Sequence, residues 1–125
     1  ACAAALASIE TMRADDLCGR AKQIEEQFLS RLEALRVRHG SLIGDIRGRG
    51  AMLVVELVTG DDLEPHPKLT AAIQKACADE GLVTLTCGTY GNVFRFLPPL
   101  SISDELLREG LEIFEKSFEK AVAGV

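Results

Sequence analysis

The spacing of apolar residues switches between helical and strand periods along this chain, and the order of those switches restricts the fold more than any other feature. Leu17, Ala21, Ile24, Phe28, Leu32 and Leu35 recur at helical spacing and give one buried stripe. Asp15 or Asp16 is placed to cap that helix, which runs to about Arg38 and stops at Gly40. Residues 42–47 and 51–58 read as two short strands around the glycine turn Gly48-Arg49-Gly50, the second more buried than the first. Residues 59–67 hold acids, a glycine and two prolines and read as a surface loop. A helix is expected over 68–80, with Leu69, Ile73, Ala76 and Cys77 inward and Gly81 as its stop. Strands follow over 82–87 and 92–97, separated by Gly88 to Gly91. Beyond Pro98-Pro99, Ser103 caps a last helix whose first turn carries Asp104 and Glu105, and Leu107, Leu111, Phe114, Phe118 and Val122 form its core stripe. With residues 1–13 as a leading helix, the order is helix, helix, two strands, helix, two strands, helix. That is an α+β sandwich with helices on a sheet of four strands or fewer.

The 125 residues suffice for one domain with a core of its own. Nineteen acidic against 14 basic residues leave a net charge of −5, and no basic cluster could track a phosphate backbone, which argues against a nucleic-acid partner. No apolar run approaches the length of a bilayer span, so no membrane partner is expected. Cys2, Cys18, Cys77 and Cys87 form no CxxC pair, and only His39 and His66 could join them, so no metal site is expected. Reduced thiols and a cytoplasmic location fit this cysteine usage. The opening Ala1-Cys2-Ala3-Ala4-Ala5-Leu6-Ala7-Ser8-Ile9-Glu10 lies inside a helical pattern with no initiator Met, no N-cap and no basic leader. It reads as the middle of a helix that starts earlier, hence as part of a longer chain.

Groups able to do covalent chemistry are scarce. There is no GxSxG elbow, Walker A loop or HExxH motif. Both histidines read as solvated, the cysteines as core filler, and the lysines lie in polar helical stretches that do not lower their pKa. No catalytic residue is expected in this chain. Arg95 stands apart. Along residues 93–97, Val93, Arg95 and Leu97 share one face while Phe94 and Phe96 share the other. An arginine among apolar neighbours either sends its head to water along a packed stem or meets an anion. A guanidinium grips a carboxylate with two parallel hydrogen bonds, and Gly88 and Gly91 nearby let a ligand approach the backbone. Arg47 and Arg49 read as solvated arginines of a hairpin, and Asp61, Asp62 and Glu64 as a solvated loop rather than a calcium site.

Several of these segments resemble the C-terminal part of the class III aminotransferases, which depend on pyridoxal phosphate. They are the alanine-rich first helix, Ile46-Arg47-Gly48-Arg49-Gly50-Ala51-Met52 leading into a strand ending Glu56-Leu57, and Cys87-Gly88 through Leu100. Within the class, Thr86-Cys87-Gly88-Thr89-Tyr90-Gly91-Asn92-Val93-Phe94-Arg95 with Pro99-Leu100 is most similar to the 4-aminobutyrate aminotransferases. The resemblance covers the whole chain. It implies the small C-terminal domain of a fold-type I enzyme, with residues 1–13 as the end of an interdomain helix and 14–125 as the small domain. The cofactor-bearing lysine, the pyridine-nitrogen aspartate and the phosphate-binding turn would then lie upstream, leaving no cofactor-binding residue here and no activity in this part alone. The implied reaction moves an amino group from 4-aminobutyrate to 2-oxoglutarate, in an enzyme that is usually a homodimer. Arg95 matches the arginine that binds the α-carboxylate of 2-oxoglutarate or glutamate, and that turns to a large-domain glutamate when 4-aminobutyrate is bound. Gly88 and Tyr90 would shape that site. Users of ornithine, acetylornithine, 5-aminovalerate and β-alanine share the scaffold. A second reading is a free-standing α+β module that holds a small carboxylate, or regulates a partner, through Arg95.

Overall fold

Helix α1 (Cys2–Ala14) buries none of its residues, whereas α2 (Leu17–His39) turns Ile24, Phe28, Leu32 and Leu35 fully inward. A computed structural model describes residues 1–124, and the last residue of the domain expected over 14–125 lies outside the described residues. Asp16 caps α2, its carboxylate accepting the Gly19 N–H at 3.2 Å. The strands β1 (Ile43–Arg49), β2 (Met52–Thr59), β4 (Leu85–Cys87) and β5 (Val93–Phe96) stand in the order β1-β2-β5-β4, every pair antiparallel. Helices α3 (Pro67–Asp79) and α4 (Asp104–Gly124) complete the layer begun by α2. Leu53, Val55, Leu57 and Phe94 enter one core with Ile24, Phe28 and Leu32 of α2, Leu69 and Ile73 of α3, and Leu107, Phe114 and Phe118 of α4. The expected α+β sandwich is the fold observed. Its sheet carries helices on one face. Among the described residues no helix is long and apolar enough to cross a membrane.

Several local expectations are corrected. The β1–β2 turn falls at Gly50-Ala51 rather than over 48–50, because Arg49 still pairs with Met52. Gly50 N–H donates to Glu25 Oε2 at 2.8 Å, which ties the hairpin tip to α2. The loop 59–67 contains a 3₁₀ turn (Gly60–Asp62) and a fifth strand, β3 (Glu64–Pro65), paired with Val58 and Thr59 of β2. Residues 82–84 are not strand. Their backbone is committed to α3 instead: Leu82 N–H donates to Cys77 O at 2.8 Å, and Thr84 O accepts from Gln74 Nε2 at 3.2 Å. His66 is no solvated loop residue, for its Nδ1 accepts the Leu69 N–H at 3.3 Å and caps α3. His39 also leaves water, with its ring 5.2 Å from that of Phe118 and Nε2 3.5 Å from Glu119 Oε1. Of the cysteines only Cys77 is core, while Cys2 and Cys18 are exposed.

One polar tie sets how α4 meets α2. Arg20 Nη1 donates to Asp104 Oδ1 at 2.8 Å, Gln27 Nε2 donates to the same oxygen at 3.1 Å, and Arg20 Nη2 donates to Ile102 O. The Arg20 hydrogen bond, then that of Gln27, hold the Asp104 carboxyl below the usual carboxylate range. A folded-state pKa below the unfolded one stabilises above the unfolded value and is lost as pH falls through the folded one. The urea midpoint is therefore expected to drop between about pH 5 and pH 2. Asp104→Asn should lower the midpoint at neutral pH and flatten part of that fall; an unchanged pH profile would show that the tie contributes nothing.

Candidate functional site

The face of the sheet turned away from the helices carries the charged residues. Because β2 pairs with β1 on one side and β5 on the other, Arg47, Val54, Arg95 and Leu85 lie in one row across the strands. Asp45, Glu56, Val93 and Cys87 make the next row. Asp45 reaches this face through a bulge. The β1–β2 register shifts between Ile43 and Asp45, so Ile43 stays opposite Leu57 on the core side while Asp45 lies opposite Glu56. Gly44 occupies the bulge, and a Cβ there would lie 2.8 Å from Val58 Cγ1.

Arg95 lies on the strand face opposite Phe94 and Phe96, as the alternation predicts. Phe94 is fully buried, and Phe96 packs against Phe28 and Phe114 with ring centroids 5.1 and 5.0 Å apart, while Arg95 is exposed between them. Among the described residues the Arg95 side chain makes no hydrogen bond and no ion pair. The nearest row-mate cation, Arg47, is the opposite case. Its Nη1 donates to Asp45 Oδ2 and Glu56 Oε2, both at 2.8 Å, and those two hydrogen bonds raise its pKa further. One guanidinium is thus taken up and the other is free, on the same surface.

At its edge this face meets an apolar groove of about 410 Å³, bordered by Arg95 and lined by Phe96, Leu97, Pro98, Leu106 and Phe114. Gly88, with φ +86°, opens the β4–β5 turn, and a Cβ on it would press to 3.0 Å from Val93 Cγ2. Tyr90 is exposed on that turn and lines a separate cleft with Glu64, Pro65 and Pro67. The structure thus keeps Gly88 beside the β5 strand start, and sets Tyr90 on the α3 side of the turn rather than on the groove that Arg95 borders. Asn92 fixes the strand start: Nδ2, buried, donates to Leu57 O at 2.8 Å and its own carbonyl accepts Leu57 N–H at 2.8 Å. The Asp45–Arg47–Glu56 cluster was not visible in the sequence. Its signal there is only the spacing of Asp45 and Arg47 two apart on one strand, and the bulge that aligns them with Glu56 is a matter of pairing.

The described residues form a two-layer domain with one open sheet face, and the Arg95 guanidinium on that face has no side-chain partner among them. The family model described as Aminotransferase class-III matches residues 1–118, and the chain belongs to that family. It is 52% identical over 117 residues to a 4-aminobutyrate aminotransferase of Mycobacterium leprae, covering 93% of this chain and 26% of that protein. A 5-aminovalerate aminotransferase of Pseudomonas putida is 39% identical, with 94% of this chain and 28% of that protein covered. Among solved structures, a Bacillus anthracis aminotransferase matches with a TM-score of 0.82 at 30% identity, over 95% of this chain and 28% of that one. The chain spans little more than a quarter of the length of these relatives.

Proposed function

We propose that this chain is the small C-terminal domain of a pyridoxal-phosphate-dependent aminotransferase that moves an amino group from 4-aminobutyrate to 2-oxoglutarate in the cytoplasm, as a homodimer. In this reading residues 1–13 end an interdomain helix and 14–125 form the domain that closes over the site. The observation that carries the role of this part is the unpaired guanidinium of Arg95 on the open face, in a chain about half identical to a 4-aminobutyrate aminotransferase. Pyridoxal phosphate supplies the electron sink of such a transfer when bound. The residues present here do not fit it. Lys22, Lys68, Lys75, Lys116 and Lys120 are all exposed, whereas a cofactor-bearing lysine needs a desolvated pocket. The cofactor and its lysine belong to the rest of the enzyme, and these residues alone are inactive.

Arg95 takes the α-carboxylate of the 2-oxo acid, its fork matching the two oxygens, and closure removes water from the pair. Gly88 and Tyr90 set the turn that starts its strand. With 4-aminobutyrate, which lacks an α-carboxylate, the guanidinium finds a carboxylate of the large domain instead, so the closed site strands no charge. The test is turnover of the full-length holoenzyme with 4-aminobutyrate and 2-oxoglutarate. Glutamate and succinate semialdehyde in equal amounts are expected. Transfer from 5-aminovalerate but not from 4-aminobutyrate would move the donor to that of the Pseudomonas relative, and no glutamate at all would end the reading.

A further inference from the structure

We infer that Arg47 is a positioning residue for the Arg95 site, holding Glu56 away so that Arg95 stays free for a substrate carboxylate. The inference rests on the carboxylate-binding role proposed above for Arg95. Glu56 has a diagonal neighbour on each side: Arg47 lies two residues beyond its partner Asp45 on β1, and Arg95 two residues beyond its partner Val93 on β5. Diagonal neighbours on one sheet face are within reach of long side chains. Both arginines can therefore compete for one carboxylate, and the structure gives it to Arg47 at 2.8 Å.

Asp45 makes that assignment stable. It lies directly opposite Glu56, and two like charges so placed repel each other. Arg47 sits between them with one nitrogen 2.8 Å from an oxygen of each, which removes the repulsion and fixes both carboxylates on the β1 side. Without Arg47, Asp45 would push Glu56 across the strand toward Arg95, its other diagonal arginine. That pairing would compete with the 2-oxo acid. The bulge at Gly44 is what brings Asp45 into this row, so the hairpin's irregularity serves the arrangement.

The experiment compares Arg47→Gln, Arg47→Lys, the double variant Arg47→Gln/Glu56→Gln and Arg95→Ala in the full-length holoenzyme, measuring each half-reaction separately. Arg47→Gln is expected to raise KM for the 2-oxo acid about threefold to fivefold, the size of one exposed competing ion pair, with kcat for that half largely kept. The amine half-reaction should change less. Arg47→Lys, which leaves a cation between the two carboxylates, should lie close to the wild type. The double variant removes the competing carboxylate and should bring KM back to within about twofold. Equal losses in both halves, with a lower melting temperature and no recovery in the double variant, would show that Arg47 only holds the hairpin. If Arg95→Ala itself leaves the 2-oxo acid KM unchanged, the carboxylate role of Arg95 fails. If Arg95→Ala raises it and Arg47→Gln does not, that role stands and the inference about Arg47 is overturned.

Discussion

Replacing Arg95 by alanine in the full-length enzyme is expected to lower kcat/KM for 2-oxoglutarate about a hundredfold, while the 4-aminobutyrate half-reaction falls only severalfold. Hydrogen bonds to a charged partner contribute about 1.5–3 kcal/mol each, and the two of a bidentate pair lost in a closed site correspond to about a hundredfold change or more. Arg95→Lys should recover part of this, because an ammonium restores the charge but not the paired geometry. The domain itself should hardly notice the change. The Arg95 side chain is exposed and has no partner among the described residues, so the unfolding free energy from urea titration should stay within about 0.5 kcal/mol of the wild type. Stopped-flow measurement of the two half-reactions separates the outcomes. Equal losses in both would mean that Arg95 supports closure in general rather than recognising the dicarboxylate.

What could be read from the sequence followed local periodicity. The stripe Ile24, Phe28, Leu32, Leu35 and the alternation Val93 to Leu97 each fix a face without reference to the rest of the chain, so the helical layer and the face that carries Arg95 were legible, while the alternation alone does not choose between water and an anion for its head. The capping serine at Ser103 was legible for the same reason, its Oγ accepting the Leu106 N–H at 3.2 Å. Pairing between distant strands was not. The Gly44 bulge, the shift of the hairpin turn to Gly50-Ala51 and the short β3 all depend on which backbone groups meet across the sheet. Residues 82–84 have strand-like composition but give their hydrogen bonds to α3, a competition that propensity does not register. The same blindness hid the site's second arginine. Arg47 and Arg49 are alike in sequence, both beside Gly48, yet only Arg47 is one rung from the Asp45–Glu56 pair and bonds both carboxylates. The family resemblance, carried by the glycine-flanked arginines and by residues 86–100, gave what periodicity could not.

Gly48→Ala is expected to destabilise the domain by about 3 kcal/mol or more, the sum of overpacking and backbone strain. Gly48 has φ +146°, and a Cβ placed on it would lie 2.2 Å from Met52 O, 2.7 Å from Leu53 Cα and 2.9 Å from Leu53 Cδ2. Two of those contacts are backbone of the neighbouring strand, so no rotamer change relieves them. Leu53 is fully buried, and moving β2 outward would open the core beneath it. Gly60→Ala supplies the control. Gly60 also has positive φ, +48°, but an added Cβ meets nothing within 4 Å, so only the conformational cost of about 1 kcal/mol applies. Urea denaturation of the two variants should therefore separate by about 2 kcal/mol or more. Equal midpoints would mean that β1 and β2 part easily at this point. In that case the rung that places Arg47 next to Val54, one position from Gly48, is soft, and the row that sets Arg47 against Arg95 is not held by the hairpin.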